Sequence, residues 1–321
     1  MPTLRKQYVP WLLAALFLAS LLLPAWLNPY IQQVLMYVGI NIILTASLNL
    51  VNGYMGEFSV GHAGFMAVGA YTSAILSVWV FPKALGPVVF PLVLVIGGIV
   101  TALAGLAVAV PSFHTRGDYL AIVTLAFNMI IKSAIENIDA VGGPRGFMGI
   151  DKITSMAWVF FWVIVTLYSI RNFVYSNYGR GVLSIREDEV ASELVSVNTR
   201  QCKVFAFVIS AFFAGVAGGL FAHLLQFINP RSFAIFPKGT EILVMVYLGG
   251  IGSISGSVLG ATVFTVALEI MRPLGVWRWV VLPLTLVLLM IFRPTGMMGL
   301  REAKILVPES EEVRARGAAA D

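Results

Sequence analysis

Glu57 and His62 lie five residues apart in GYMGEFSVGHAGF (53–65), a stretch that also holds Ser59 and four glycines. A carboxylate and an imidazole at that spacing can contact a solute, pass a proton or gate a wet path. The same side chains can equally sit at a helix interface and pair with exposed amides, so residue type leaves two readings open. Lys132 and Glu136, four apart, and Glu269 and Arg272, three apart, have the spacing of plain ion pairs on one helix face. Glu241 opens a later apolar segment, where a structural role is favoured over a place on a path. The three histidines, His62, His114 and His223, fall on separate segments, which argues against a zinc site. The single Cys202 makes neither an internal disulfide nor a metal site. No GxxxxGK[ST] occurs, so the chain has no sequence for cradling ATP phosphates. Paired catalytic groups of the kind an intramembrane enzyme needs are also missing from the sequence. No cofactor and no metal are expected in this chain.

The elements that must position these residues follow from composition. The chain has 321 residues, 59% hydrophobic and 12% charged, where soluble domains carry about 25% charged residues. With a mean hydropathy of +0.88, it reads as an integral membrane protein. Eight apolar runs have helical length: Pro10–Leu27, Ile31–Val51, Gly61–Phe81, Val88–Val110, Tyr119–Ile135, Met156–Val174, Val204–Leu225 and Trp277–Phe292. A spanning helix needs about 20 mostly apolar residues, and none of the runs alternates as a barrel strand would. The expected fold is all-α and polytopic, with about eight spanning helices (roughly 20 residues each). The first run reads as a retained helix, because Pro24–Leu27 offers no small-x-small cleavage site. The net charge of +5 reflects Lys and Arg gathered in two regions, 171–203 and 293–316. That is the signature of cytoplasmic loops rather than of nucleic-acid binding.

Following these charges from a cytoplasmic N-terminus at Arg5 and Lys6 places the loop 137–155 outside, 171–203 inside and 229–238 outside. The loop IDAVGGPRGFMGID (138–151) is a candidate contact for an external partner or a simple turn-rich connector. A single crossing by Thr240–Arg272 would then leave the basic C-terminal region outside. A segment that enters and turns back restores the parity, and LGGIGSISGSVLG (248–260), with five glycines and three serines, is where it would turn. Open backbone at membrane depth is tolerated only when buried in protein or facing a wet cavity. The chain therefore has two Gly-rich interruptions, 53–65 and 248–260, one in each half, and a possible internal pseudo-repeat. Paired interruptions point to a transporter's binding region, while small residues also serve close helix packing. The candidate path residues are Asn49, Glu57, Ser59, Gly61, His62, Gly250, Ser253 and Ser255. As organisation we expect a transmembrane domain over 1–304, with a cytoplasmic loop at 177–203, and a disordered tail at 305–321.

Within that loop, Ser184 and Glu187 fit a capping box. Gly179-Arg180-Gly181 would end the helix before it, and Val190, Leu194 and Val197 form a narrow apolar stripe. A helix lying on a membrane surface prefers a basic polar face. This one carries Glu187, Asp188, Glu189 and Glu193, which favours docking into a groove of another protein.

Five blocks, NLVNGYMGEFSVGHAGFMAVGAYTSAIL (49–76), SIREDEVASELVSVN (184–198), KVFAFVISAFFAGVAGGLFAH (203–223), MVYLGGIGSISGSVLGA (245–261) and FRPTGMMGL (292–300), are ordered and spaced as in one family. They resemble the inner-membrane permeases of bacterial branched-chain amino acid ABC importers, most closely the LivM-type subunit. The resemblance implies a multi-pass inner-membrane subunit with both termini cytoplasmic. It implies a heterodimer with a second, homologous permease subunit, two cytoplasmic ATPase subunits that bind the ATP, and a periplasmic substrate-binding protein. It makes 184–198 the coupling helix, with Arg186, Glu187, Asp188, Glu189, Ala191, Glu193 and Leu194 facing the ATPase. The chain has Ser196 where the family usually has glycine, in the turn after that helix. Related permeases handle urea and other amides, so the substrate class is a small neutral or zwitterionic solute, branched-chain amino acids favoured. A stand-alone ion-coupled transporter with Glu57 as its proton site is the other alternative.

Overall fold

The computed structural model describes residues 26–81, 86–114, 119–292, 295–299, 302–303 and 307. The first expected run lies outside them apart from Trp26 and Leu27, as does the tail apart from Val307. Regular structure among the described residues is helical, with one isolated antiparallel bridge between Phe147 and Ile228. The helices are α1 (Pro29–Asn49), α2 (His62–Ile75), α3 (Gly86–Ser112), α4 (Tyr119–Glu136), α5 (Met156–Val174), α6 (Asn177–Glu187), α7 (Glu189–Leu194), α8 (Thr199–Leu225), α9 (Thr240–Gly249), α10 (Ile254–Ile270) and α11 (Arg278–Phe292). Wide π turns prolong α1 through Leu50–Tyr54 and α2 through Leu76–Val80. Six helices among the described residues, α1–α5 and α8, are long and apolar enough to cross a membrane. The last expected run forms α11, which at 15 residues extends about 22 Å.

Helix ends follow local chemistry. Pro29 opens α1 at a position where its missing N–H costs nothing, and the Asn28 side chain accepts from Tyr30 N at 3.1 Å. Ser155 caps α5 and Asn198 caps α8 in the same manner. Among the spanning helices α1 is the most enclosed and α4 the least. The centre is built where α8 meets α2 and α3. A Cβ on Gly69 would lie 2.2 Å from Gly215 O, and one on Gly218 would lie 2.0 Å from Met66 O, so these helices touch backbone to backbone. Small residues permit that approach where dispersion, rather than water exclusion, drives helix association. The close-packing reading of small residues thus holds at the centre, for Gly69 and Gly218.

After α8 the chain does not simply cross again. Ile228 pairs with Phe147 of the 138–151 loop, with N–H···O distances of 2.8 and 3.2 Å. Lys238 then reaches Asn41, midway along α1, with Nζ donating to Oδ1 at 3.2 Å. From that level α9 runs down only 10 residues, about 15 Å against a hydrocarbon core of about 30 Å. The chain turns at 250–253 and returns as α10. Gly250 and Gly252, at φ 130° and 77°, adopt backbone conformations that a side chain would strain. The two helices are antiparallel and touching: a Cβ on Gly249 would meet Gly256 O at 2.1 Å, and one on Gly260 would meet Met245 O at 2.2 Å. Helix α10 also runs antiparallel to α1, with Asn49 on Ser257, Asn41 on Thr265 and Tyr30 on Glu269. The broken hairpin expected for 240–272 is present, and its turn falls inside the Gly/Ser-rich stretch.

Candidate functional site

Asn49 ends α1, and its side chain joins the two interruptions. Nδ2 donates to Ser253 O at 2.8 Å, to Ser257 Oγ at 2.8 Å and to Gly250 O at 3.3 Å, while Oδ1 accepts from Gly252 N at 2.9 Å. Gly53 completes the contact, since a Cβ there would lie 2.3 Å from Gly252 N. The 250–253 turn is therefore held on the end of α1 by one fully buried amide. Ser253 caps α10 by accepting from Gly256 N at 2.9 Å.

Residues 295–299 and 302–303 close this junction from the other side. Met297 N and Met298 N donate to Leu248 O and Gly249 O at 2.9 and 3.0 Å, pairing carbonyls that the end of α9 leaves free. The Glu302 carboxylate accepts from Ile254 N, from Ser255 Oγ at 2.9 Å and from Tyr54 OH at 2.8 Å. A carboxylate over the first turn of a helix pairs its free N–H groups and complements its dipole. Ser255 Oγ in turn accepts from Ala303 N at 2.9 Å.

The other candidate residues of the first interruption look away from that contact. Asn52 grips Ser59, accepting from its N–H at 3.1 Å and donating to its carbonyl at 3.4 Å. Gly61 packs on α4, where a Cβ would lie 2.5 Å from Thr124 O. His62 is buried, with Nε2 2.8 Å from Ser47 Oγ, two residues before the end of α1. Glu57 pairs with Lys203 at 2.6 Å. Sequence reasoning named Asn49, Gly250, Ser253 and Ser255, which the structure brings together. It did not name Asn52, Tyr54, Lys203 or Glu302 as site residues. Glu302 lies just past the FRPTGMMGL block, and Lys203 had registered only as loop charge.

At the same end lie α6 and α7, and here the local expectation is corrected. Ser184 does not start a helix and makes no capping box with Glu187. The helix begins at Asn177 with Ser176 as its cap, accepting from Gly179 N at 3.2 Å, so Gly179, Arg180 and Gly181 lie inside α6. Ser184 Oγ bonds back to Gly181 O at 2.9 Å, and Glu187 pairs with Arg186 at 2.7 Å. The break comes at Asp188, extended at φ −159° and ψ 112°, whose carboxylate accepts from Ala191 N at 3.0 Å. An aspartate is as strong a cap as serine, and here it outcompetes a hydroxyl that has a partner inside its own helix. The expected continuous helix over 184–198 is thus two, and α7 has 6 residues.

Helix α7 displays Val190, Leu194 and Val195, which are 63%, 83% and 72% exposed. Val197, expected on this stripe, instead packs against the core. Ala191, Glu187, Asp188, Glu189 and Glu193 are exposed around them, with Glu193 accepting from Thr199 Oγ1 at 3.2 Å. Behind the helix, Tyr178, Arg180, Ser184, Val195 and Cys202 line an open groove of about 480 Å³. Arg186 turns the other way and donates to Gly53 O at 3.3 Å. Ser196 closes the turn at φ 65°, in the left-handed region that glycine adopts without strain.

A second polar cluster lies higher, beside the start of α9. Lys238 Nζ sits 3.1 Å from Glu241 Oε2 and 3.2 Å from Asn41 Oδ1, over the ring of Phe221 at 5.6 Å. Asn41 Nδ2 donates to Thr265 Oγ1 at 2.9 Å. Lys132 with Glu136 and Arg272 with Glu269 form the ion pairs their spacing implies, at 3.8 and 3.1 Å.

Comparison with known proteins places this geometry. The family described as branched-chain amino acid transport system / permease component matches residues 30–292. The high-affinity branched-chain amino acid transport system permease protein LivM of Escherichia coli (strain K12) is 34% identical over 323 residues, covering 88% of this chain and 74% of its own. The permease protein LivH of the same strain is 28% identical over 192 residues, 58% of this chain and 61% of its own. A probable branched-chain amino acid transport permease protein LivM of Methanocaldococcus jannaschii is 22% identical, covering 87% of this chain and 95% of its own. No solved structure matches the chain. With six helices of spanning length among its described residues, its hairpin and a family match across most of its length, the chain is a multi-pass membrane protein of the branched-chain amino acid transport permease family.

Proposed function

We propose that this chain is one of two homologous permease subunits of an ATP-driven importer and forms half of the path for branched-chain amino acids. Its setting in this reading is a bacterial inner membrane, with both termini cytoplasmic. Two cytoplasmic ATPase subunits bind and hydrolyse ATP, a periplasmic binding protein delivers the solute, and this chain carries out no covalent chemistry.

The observation that supports this most directly is the placement of α7. A short acidic helix with three exposed apolar side chains stands at the end of the molecule where both interruptions meet. A docked ATPase would therefore act next to a place where irregular backbone from both halves meets. Asn49, Ser59, Gly61 and His62 on one side, and Gly250, Ser253 and Ser255 on the other, frame the inner end of the path in this reading. Glu57 and Arg186 tie that frame to the docking elements.

The test is to express the chain with the products of adjacent open reading frames, purify the complex by a tag on this chain, and measure labelled leucine uptake into proteoliposomes. Co-purifying ATPase subunits and ATP-dependent leucine uptake support the reading. ATP-driven uptake of urea in place of leucine changes the substrate, and uptake by the chain alone along an ion gradient refutes the importer.

A further inference from the structure

Lys203 stands in the second turn of α8, with its side chain 8% exposed, and it is held by two carboxylates from different parts of the chain. Glu57 Oε1 lies 2.6 Å from Nζ and Glu189 Oε1 lies 2.8 Å from it. Glu57 belongs to the irregular segment between Met55 and Gly61, and Glu189 to the first turn of α7. We propose that Lys203 is the positioning residue that carries displacement of α7 to the first interruption, a role that rests on the importer reading above.

Three features of the contact support this. The partners differ in stiffness. Helix α8 has 27 residues and is packed on α2 and α3 through its glycines, whereas the 55–61 segment includes Gly56 at φ 78° and has few backbone hydrogen bonds of its own. Force arriving at the ammonium therefore moves the segment rather than the helix. The three charges also form one unit: two carboxylates meet at a single ammonium, so drawing Glu189 away leaves the cation wholly to Glu57 and shifts the balance at the segment. Finally, a second contact acts on the same segment from the same side, with Arg186 of α6 donating to Gly53 O and its Cγ lying 2.8 Å from where a Cβ of Gly56 would be. The 55–61 segment is thus held between α6 and the α7–α8 contact. Phe113, at the end of α3, lies 5.8 Å from Nζ and closes the remaining side with an aromatic face.

The test uses the complete importer in proteoliposomes and reads the ratio of leucine imported to ATP hydrolysed. Lys203→Met should lower that ratio about tenfold, within the usual range of coupling between sites, and Lys203→Arg should keep it within about twofold of wild type. Adding Glu57→Gln to Lys203→Met should lower it no further. A merely structural ion pair would change the melting temperature of the complex and leave the ratio alone, so an unchanged ratio in Lys203→Met overturns the proposal, as does a further drop in the double variant. Where Lys203→Met does not assemble, Glu189→Gln, on a half-exposed side chain, is measured by the same ratio: a fall supports the relay, no change overturns it. Wild-type uptake that needs no ATPase refutes the importer itself, and the relay with it, whatever the variants do.

Discussion

Ser196 shows how one residue can expose a constraint. A serine at φ 65° is held where its Cβ crowds the backbone, at a cost of about 1 kcal/mol. Ser196→Gly should raise the stability of the complex by roughly 0.5–1 kcal/mol, read as a higher melting temperature. Lys238 poses the opposite case. Its side chain and that of Glu241 are only 10% and 15% exposed, and removing one partner of a buried pair costs about 3–5 kcal/mol because the other charge is stranded. Lys238→Met should therefore lower the melting temperature sharply, and Lys238→Met combined with Glu241→Gln should recover part of the loss. Lys238 could not be singled out from the sequence: it sits in a segment that reads as an outer loop, and only the descent of the chain to the level of Asn41 buries it.

At the scale of elements, the hairpin and the docking helix show what was legible and what was not. The turn at 250–253 was readable because glycine and serine at that density open a helix, and because charge parity demanded a reversal. The boundary of α7 was not, because Ser184 and Asp188 are both good caps by type. The choice turned on Ser184 finding Gly181 O within α6. The apolar stripe shifted with that boundary, exchanging Val197 for Val195. If α7 docks as proposed, Leu194→Asp should reduce co-purified ATPase about tenfold, a loss of about 1.4 kcal/mol in binding, with insertion of the permease unaltered on a gel of membrane fractions. Gly61→Val should abolish uptake. Its Cβ would press on Thr124 O at 2.5 Å, and proteoliposomes containing the variant should hydrolyse ATP without importing leucine.

For the whole molecule, hydropathy and length were enough to read an all-α membrane chain, because lipid leaves few ways to pair a backbone. The bonds by which the two interruptions meet were not readable. Composition suggested a pairing of halves, whereas the actual link is Asn49, an ordinary residue at a helix end whose amide happens to match a turn 201 to 204 residues away. The candidate residues of the second interruption and Asn49 form one contact, while Glu57, Ser59, Gly61 and His62 each answer to a different neighbour. The order in which these parts arise matters too. Ser255 leaves the ribosome 47 residues ahead of Glu302, and Leu248 and Gly249 likewise precede the methionines that pair their carbonyls. During synthesis the hairpin is therefore made before the partners that finish its ends. A chain that ended within that interval would lack the contacts of Glu302, Met297 and Met298, and its hairpin would stay open at that end.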